Sequence, residues 1–202
     1  MTPMTQRIDF YFDVGSPTAY LAWTQLPGIA RDTGAELVYH PVLLGGIFQA
    51  TGNASPMTNA AKGAYMVRDL KRFARHYDVP LAFNPHFPIN TLTLMRIATG
   101  VQQHQPERFP ALVEALYTAM WVDGRNLGDD TILRQTLAQA GFDADEALRL
   151  AGDDAVKAQL KQVTEAAVQR GLFGVPTIFV GEEMFWGQDR LDFVRETLAA
   201  AH

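Results

Sequence analysis

The chain has no cysteine among its 202 residues, which excludes disulfides, thiolate metal sites and any catalysis by a thiol of its own. It also lacks an excess of cations. Seventeen Lys and Arg stand against 22 Asp and Glu, a formal net charge of −5, so nucleic acid and anionic membrane are disfavoured as principal partners. No apolar run approaches the roughly 20 residues needed to cross a bilayer. The opening "MTPMTQRIDFYF" has no basic start leading to an apolar run and a small-residue cleavage site, so no secretory signal is expected and the chain reads as cytosolic. There is no internal repeat, and HExxH, GxSxG, a phosphate-binding glycine loop and a dinucleotide fingerprint are all missing. His40, His76, His86 and His104 are scattered without metal-ligand spacing.

What is present is an ordinary globular composition, 48% hydrophobic and 19% charged, long enough for one domain with or without a large insertion. "RIDFYFDV", Arg7 to Val14, is rich in aromatic and β-branched residues and ends at Gly15, the pattern of a short buried strand. Ser16 then offers a capping hydroxyl, and Pro17 a first helical residue with no N–H to lose. Tyr20, Leu21, Leu26 and Ile29 carry a helix on to Gly34, with a kink expected at Pro27. "AELVYHPV", Ala35 to Val42, reads as a second strand, so the chain opens β-α-β with a right-handed crossover expected.

From Ala60 to Gly171 the period is mostly helical. Met66, Leu70, Phe73 and Tyr77 share a face, as do Phe109, Leu112, Val113, Leu116 and Met120, and Val156, Leu160, Val163 and Ala167 line a later helix. Asp130 and Asp143 mark helix starts; Gly141, Gly152 and Gly171 mark stops. In "PTIFVGEEMFWG", Pro176 to Gly187, two apolar runs flank Gly181-Glu182, a hairpin signal. Asp189 is expected to cap a last helix that faces the core with Leu191, Val194 and Leu198. The order predicts an α/β fold in which residues 1–44 and 172–202 form one split domain. Residues 45–171 form an all-helical insertion with its leading loop.

This order resembles the thioredoxin-like fold carrying a helical insertion, as in disulfide oxidoreductases of the DsbA type. There a cysteine motif opens the first helix and a cis-proline precedes the third strand; the matching positions here are Ser16-Pro17-Thr18-Ala19 and Val175-Pro176-Thr177. Without the cysteines, disulfide exchange is excluded. A closer resemblance, over nearly the whole chain, rests on "FYFDVGSPTAYLA", "TGN" at Thr51 to Asn53, "AKGAYMVRDL" from Ala61, "FGVPTIFVG" from Phe173 and "MFWGQDRLDFV" from Met184. These stretches are similar to 2-hydroxychromene-2-carboxylate isomerases and to the related kappa-class glutathione transferases. The resemblance implies a homodimer that takes its thiol from glutathione and acts on a small aromatic carboxylate. It also implies a reaction: 2-hydroxychromene-2-carboxylate, or a related aromatic pyruvate, becomes the trans-o-hydroxybenzylidenepyruvate by reversible addition of the thiolate. A kappa-like transferase and a non-catalytic thioredoxin-like binding scaffold are the alternatives.

The residues divide accordingly. Ser16 before Pro17 reads either as a plain helix cap or as the catalytic donor to a thiolate held at the helix head. A thiol of pKa about 8.5 is only a few per cent ionised at neutral pH, and helix termini lower thiols to the ~3.5–7.5 range. A fall of about two units corresponds to roughly 2.7 kcal/mol. The resemblance places Asn53, Lys62, Val175, Pro176, Trp186, Gly187, Gln188 and Asp189 around glutathione. Val175 would pair with its cysteinyl backbone if Pro176 is cis, Lys62 suits the glycyl carboxylate, and Asp189 suits the α-ammonium. Asp69 reads as a helix-surface partner of Arg68 or Arg72. Phe48, Phe87, Asn90, Arg96 and Trp121 are the substrate-side candidates. Phe48 departs from the resemblance, which leads to a basic residue in the naphthalene-pathway isomerases.

Overall fold

A computed structural model describes residues 6–200. The outer ends of the expected split domain, 1–5 and 201–202, lie outside the described residues, as does the start of the stretch read for a secretory signal.

Four strands, β1 (Arg7–Phe12), β2 (Glu36–Pro41), β3 (Thr177–Val180) and β4 (Glu183–Trp186), make one mixed sheet in the order β2-β1-β3-β4. β2 lies parallel to β1, while β3 is antiparallel to both β1 and β4. Because side chains alternate along a strand, the central β1 feeds two cores. Ile8, Phe10 and Phe12 join the main one, whereas Tyr11 packs with Val42, Ile47, Leu172 and Phe179 on the other face. The main core takes in Leu21, Leu26 and Ile29 of α1 (Pro17–Thr33) and Val194 and Leu198 of α9 (Leu191–Ala200).

Between β2 and β3 runs the helical block: α2 (Leu44–Thr51), α3 (Ala60–His76), α4 (Leu92–His104), α5 (Phe109–Trp121), α6 (Asp130–Gln139), α7 (Ala144–Gly152) and α8 (Asp154–Gln169). The α5 face expected from the sequence is buried throughout, from Phe109 to Met120. This is a thioredoxin-like α/β arrangement with helices inserted between its two halves.

Several local expectations are corrected. β1 ends at Phe12 rather than Val14, because Asp13 turns the chain: its carbonyl accepts the Ser16 N–H at 3.0 Å and its carboxylate the Gly15 N–H at 2.9 Å. The segment after β2 is itself helical: α2 forms despite Gly45-Gly46 and without a side-chain cap. Asp129, one residue earlier than expected, caps α6 through the Ile132 N–H, and Asp130 is its first helical residue. Residues 77–91 are not helical and include a cis Phe87–Pro88 bond. Asp189 does not cap α9. It sits inside a short 3-10 turn, Gln188–Arg190, that leads into the helix.

Candidate active site

Three segments distant in sequence converge where β1 meets α1. The first is the α1 head. Ser16 is 5% exposed, and its Oγ accepts the Ala19 N–H at 3.2 Å, so the hydroxyl is a helix cap. It also lies 2.9 Å from Thr18 Oγ1 and 3.3 Å from the Val175 carbonyl oxygen. Of the first-turn donors, Pro17 has no N–H, Ala19 serves Ser16 Oγ and Tyr20 serves the Ser16 carbonyl. The Thr18 N–H has no acceptor among the described residues, leaving one helix-terminal donor for an anion.

The second segment is the loop before β3. The Val175–Pro176 bond is cis, the Val175 carbonyl faces Ser16 and Thr18, and the Val175 N–H has no acceptor among the described residues. The loop is fixed on both sides. Asn53 Nδ2 donates to the Phe173 carbonyl at 2.7 Å, and Thr177 Oγ1 to that of Gly174 at 2.8 Å. The Trp186 ring stacks obliquely on Phe173 with centroids 5.0 Å apart. At Gly174 a Cβ would stand 2.9 Å from Trp186 Nε1, so a side chain there displaces the indole.

The third segment leaves β4. Gly187 adopts φ 113°, a backbone state open to glycine, and its N–H donates to the Pro176 carbonyl at 3.0 Å. That bond ties the turn to the cis-proline loop. Just past the end of α3, Tyr77 donates its hydroxyl to the Gln188 carbonyl. Burial first, and then the carboxylates of Asp192 and Asp189, push Tyr77 up to about 12, so it remains a donor at physiological pH.

Beneath all three lies Asp13, 1% exposed. Its Oδ1 accepts the Gly15 N–H at 2.9 Å, and its Oδ2 accepts the Leu44 N–H at 2.9 Å and the Thr91 hydroxyl at 3.0 Å. One carboxylate thus joins the β1–α1 turn to the starts of α2 and α4. Burial pushes its pKa above 3.8 in spite of these donors.

The segments enclose a cavity of about 730 Å³, ample for a ligand of drug size. Ser16, Asn53, Lys62, Val175 and Pro176 line it, as do Trp186, Gly187, Gln188 and Asp189. Its charges are mixed: Lys62 has no ion-pair partner among the described residues, Asp189 is paired to Arg190 at 3.5 Å and Asp69 to Arg72 at 3.1 Å. The opposite wall is apolar, made by Leu44, Phe48, Met66, Leu70, Phe83 and Phe87.

Three substrate-side candidates fall elsewhere. Asn90 is exposed, and its Oδ1 accepts the Leu92 N–H at the start of α4. Trp121 is fully buried, donating Nε1–H to the Val14 carbonyl at 2.8 Å and backing Phe83 and Phe87 from behind. Arg96 opens onto a separate cavity of about 830 Å³ between α2, α4 and α8, with Leu43, Gly46 and Leu160. The wall between the cavities is α2, whose Leu44 and Phe48 face the Ser16 side. Sequence reasoning missed Thr18, Met57, Tyr65, Met66 and Phe83 of this cavity. Met66 carried a signal, the shared α3 face with Leu70; Phe83 sits in irregular chain without one.

Residues 7–199 match the family described as DSBA-like thioredoxin domain. The chain is 37% identical to a 2-hydroxychromene-2-carboxylate isomerase of Sphingobium xenophagum, over 96% of this chain and 99% of that protein. It is 28% identical to glutathione S-transferase kappa 1 of Homo sapiens, over 98% and 93% of the two chains. A solved 2-hydroxychromene-2-carboxylate isomerase superposes with a TM-score of 0.84 at 29% identity, covering 96% of this chain and 95% of that one. The fold and the cysteine-free helix head define a DsbA-like thioredoxin-fold protein. Within that class, the chain belongs to the 2-hydroxychromene-2-carboxylate isomerase family, to which the kappa-class glutathione transferases are related.

Proposed function

We propose that this protein is a glutathione-dependent isomerase that converts 2-hydroxychromene-2-carboxylate, or a related aromatic pyruvate, to the trans-o-hydroxybenzylidenepyruvate. The observation that carries this reading is the head of α1. A buried hydroxyl in contact with the cis-proline loop and a Thr18 N–H without an acceptor among the described residues stand together at the edge of a cavity, in a chain with no thiol. The relatives at 31–37% identity are named 2-hydroxychromene-2-carboxylate isomerases, which supports the isomerase part of this reading.

The residues present fit glutathione. The unclaimed N–H and the carbonyl of Val175 offer the pairing of one more strand to a peptide unit. Lys62 suits a carboxylate, and the Gln188–Arg190 turn with Asp189 supplies donors and a counter-charge for an amino-acid end. When bound, glutathione would supply a nucleophilic thiol for reversible addition to an unsaturated carbon, a group this chain does not carry itself. Ser16 and the Thr18 N–H hold that sulfur as the anion. The wall of Leu44, Phe48, Phe83 and Phe87 receives an aromatic ring beside it and excludes water.

In this reading the enzyme is cytoplasmic and works as a homodimer. Calorimetric titration with glutathione tests the binding, and isomerisation of 2-hydroxychromene-2-carboxylate at constant glutathione concentration tests the reaction. Absence of saturable binding by the folded protein overturns the proposal. The kappa-class relatives favour one second reading, a glutathione transferase, which predicts instead that glutathione is consumed with an electrophile.

A further inference from the structure

Ser16 is committed to other partners to a degree that a lone thiolate donor would not be. Its oxygen accepts the Ala19 N–H, and its proton has two acceptors within reach, Thr18 Oγ1 at 2.9 Å and the Val175 carbonyl at 3.3 Å. Thr18 Oγ1 reaches the same carbonyl at 3.5 Å. The two hydroxyls therefore hold two protons for one short contact between them and two long contacts to the Val175 carbonyl. Only one proton can take the short contact, and a stronger acceptor in the cavity draws the other away from the long one. Ser16 is buried while Thr18 is half-buried and lines the cavity. Thr18 also bears the one first-turn N–H without an acceptor among the described residues.

We infer that Thr18 is a second catalytic donor, whose hydroxyl and backbone N–H bind the anionic sulfur directly beside Ser16. The inference rests on the glutathione reading and deepens it: the anion site is a pair of hydroxyls. In the free protein these are occupied by each other and by Val175 O. When the sulfur arrives as a thiol, its proton leaves to water, and one hydroxyl proton turns from the carbonyl to the sulfur. The β-branched Thr suits this task, because its restricted χ1 holds the hydroxyl in place with little freedom to lose.

The test is the pKa of the bound glutathione thiol, read from thiolate ultraviolet absorbance against pH for the wild type, Thr18→Val, Thr18→Ser, Ser16→Ala and the double variant. Val keeps the shape and removes only the hydroxyl, so Thr18→Val should raise the bound thiol pKa by about one unit, roughly tenfold in the ionisation constant. Thr18→Ser should leave it within a few tenths. In the Ser16→Ala background, removing the Thr18 hydroxyl should raise it further. An unchanged pKa in Thr18→Val, with near-native circular dichroism, overturns the inference. So does an effect that vanishes once Ser16 is gone, which makes Thr18 a positioning residue acting through Ser16. A wild-type protein that binds no glutathione fails at the earlier step and overturns the glutathione reading itself.

Discussion

Asp13→Asn is the substitution whose consequence follows most directly from the structure. The carboxylate receives three donors on two oxygens: Gly15 N–H on one, Leu44 N–H and the Thr91 hydroxyl on the other. An asparagine has one oxygen. Its better orientation keeps Leu44 and Thr91 and turns the amide NH2 against the Gly15 N–H, leaving that donor unpaired. A part-buried orphan of this kind costs on the order of 1–3 kcal/mol, and the lost charge, which burial disfavours, offsets part of it. The net expectation is about 1 kcal/mol, or a Tm lower by roughly 2–4 °C for a chain of this size. Asp13→Ala orphans all three donors and opens a void, so it should cost roughly 3 kcal/mol or more.

The pH dependence gives a second and sharper criterion. A carboxyl whose folded pKa is raised contributes stability that is full below the unfolded pKa of 3.8 and is lost as pH rises through the folded value. The wild type therefore gains from this group on acidification and Asp13→Asn does not. The stability gap between them, measured by denaturant titration, should widen from neutral pH toward pH 4. A gap that narrows refutes the dominance of burial over the three donors at Asp13, and an asparagine variant as stable as the wild type throughout refutes the need for two acceptor oxygens there.

Other outcomes follow from single contacts. Ser16→Ala should lose about 1 kcal/mol of stability, as a missing cap does, and about 10–100-fold in isomerisation rate at neutral pH, the loss of one hydrogen bond to a charged group; a normal rate in the folded variant counts against the thiolate role. Gly174→Ala pushes a methyl toward Trp186 Nε1, so glutathione affinity should fall several-fold with little change in melting temperature; unchanged affinity dissociates Trp186 from the site. Trp121→Phe removes the bond to the Val14 carbonyl and leaves that buried acceptor unpaired, which should cost about 2 kcal/mol in chemical denaturation.

The sequence showed the sheet and the α5 face because both obey strong periodicities. It did not show α2, since adjacent glycines and a missing cap are evidence against a helix at the local level. What holds α2 is tertiary: Leu43 N–H donates to Thr164 Oγ1 at 3.0 Å and Leu44 N–H to Asp13, partners more than a hundred and about thirty residues away. Arg96 was placed with the substrate by residue type alone, and α2, the unseen helix, is the wall that separates it from Ser16. The unseen helix thus decides which of the two cavities Arg96 lines. The resemblance pointed to the Val175-Pro176 loop while leaving its cis bond open, and to the "WGQD" stretch without its 3-10 turn. The hydroxyl pair of Ser16 and Thr18 was not legible, since nothing in local sequence says that two residues at i and i+2 will share one acceptor 157 residues further along.

A last prediction concerns the end of the sheet away from the cavity. Asp9 accepts bonds from His40 Nε2 at 2.8 Å and Arg170 at 3.1 Å, and Arg170 lies over the Phe179 ring. Burial alone would raise Asp9, but the His40 and Arg170 hydrogen bonds outweigh it and hold the carboxyl below 3.8. Burial lowers His40 below 6.5, and the bond to Asp9 only partly restores it. Both signs agree. A depressed histidine leaves the unfolded chain as the better proton acceptor, so stability drops as pH falls through about 6.5. The Asp9 contribution is intact there and fades only as pH falls below its unfolded value. Denaturant midpoints at pH 7.5 and 5.5 should therefore fall in the wild type and fall less in His40→Gln. Glutathione binding should show the same pH profile in the wild type and in His40→Gln, because neither Asp9 nor His40 lines the Ser16 cavity. If the two binding profiles diverge where His40 protonates, the two ends of the sheet are energetically one unit, and scaffold and site are not separate.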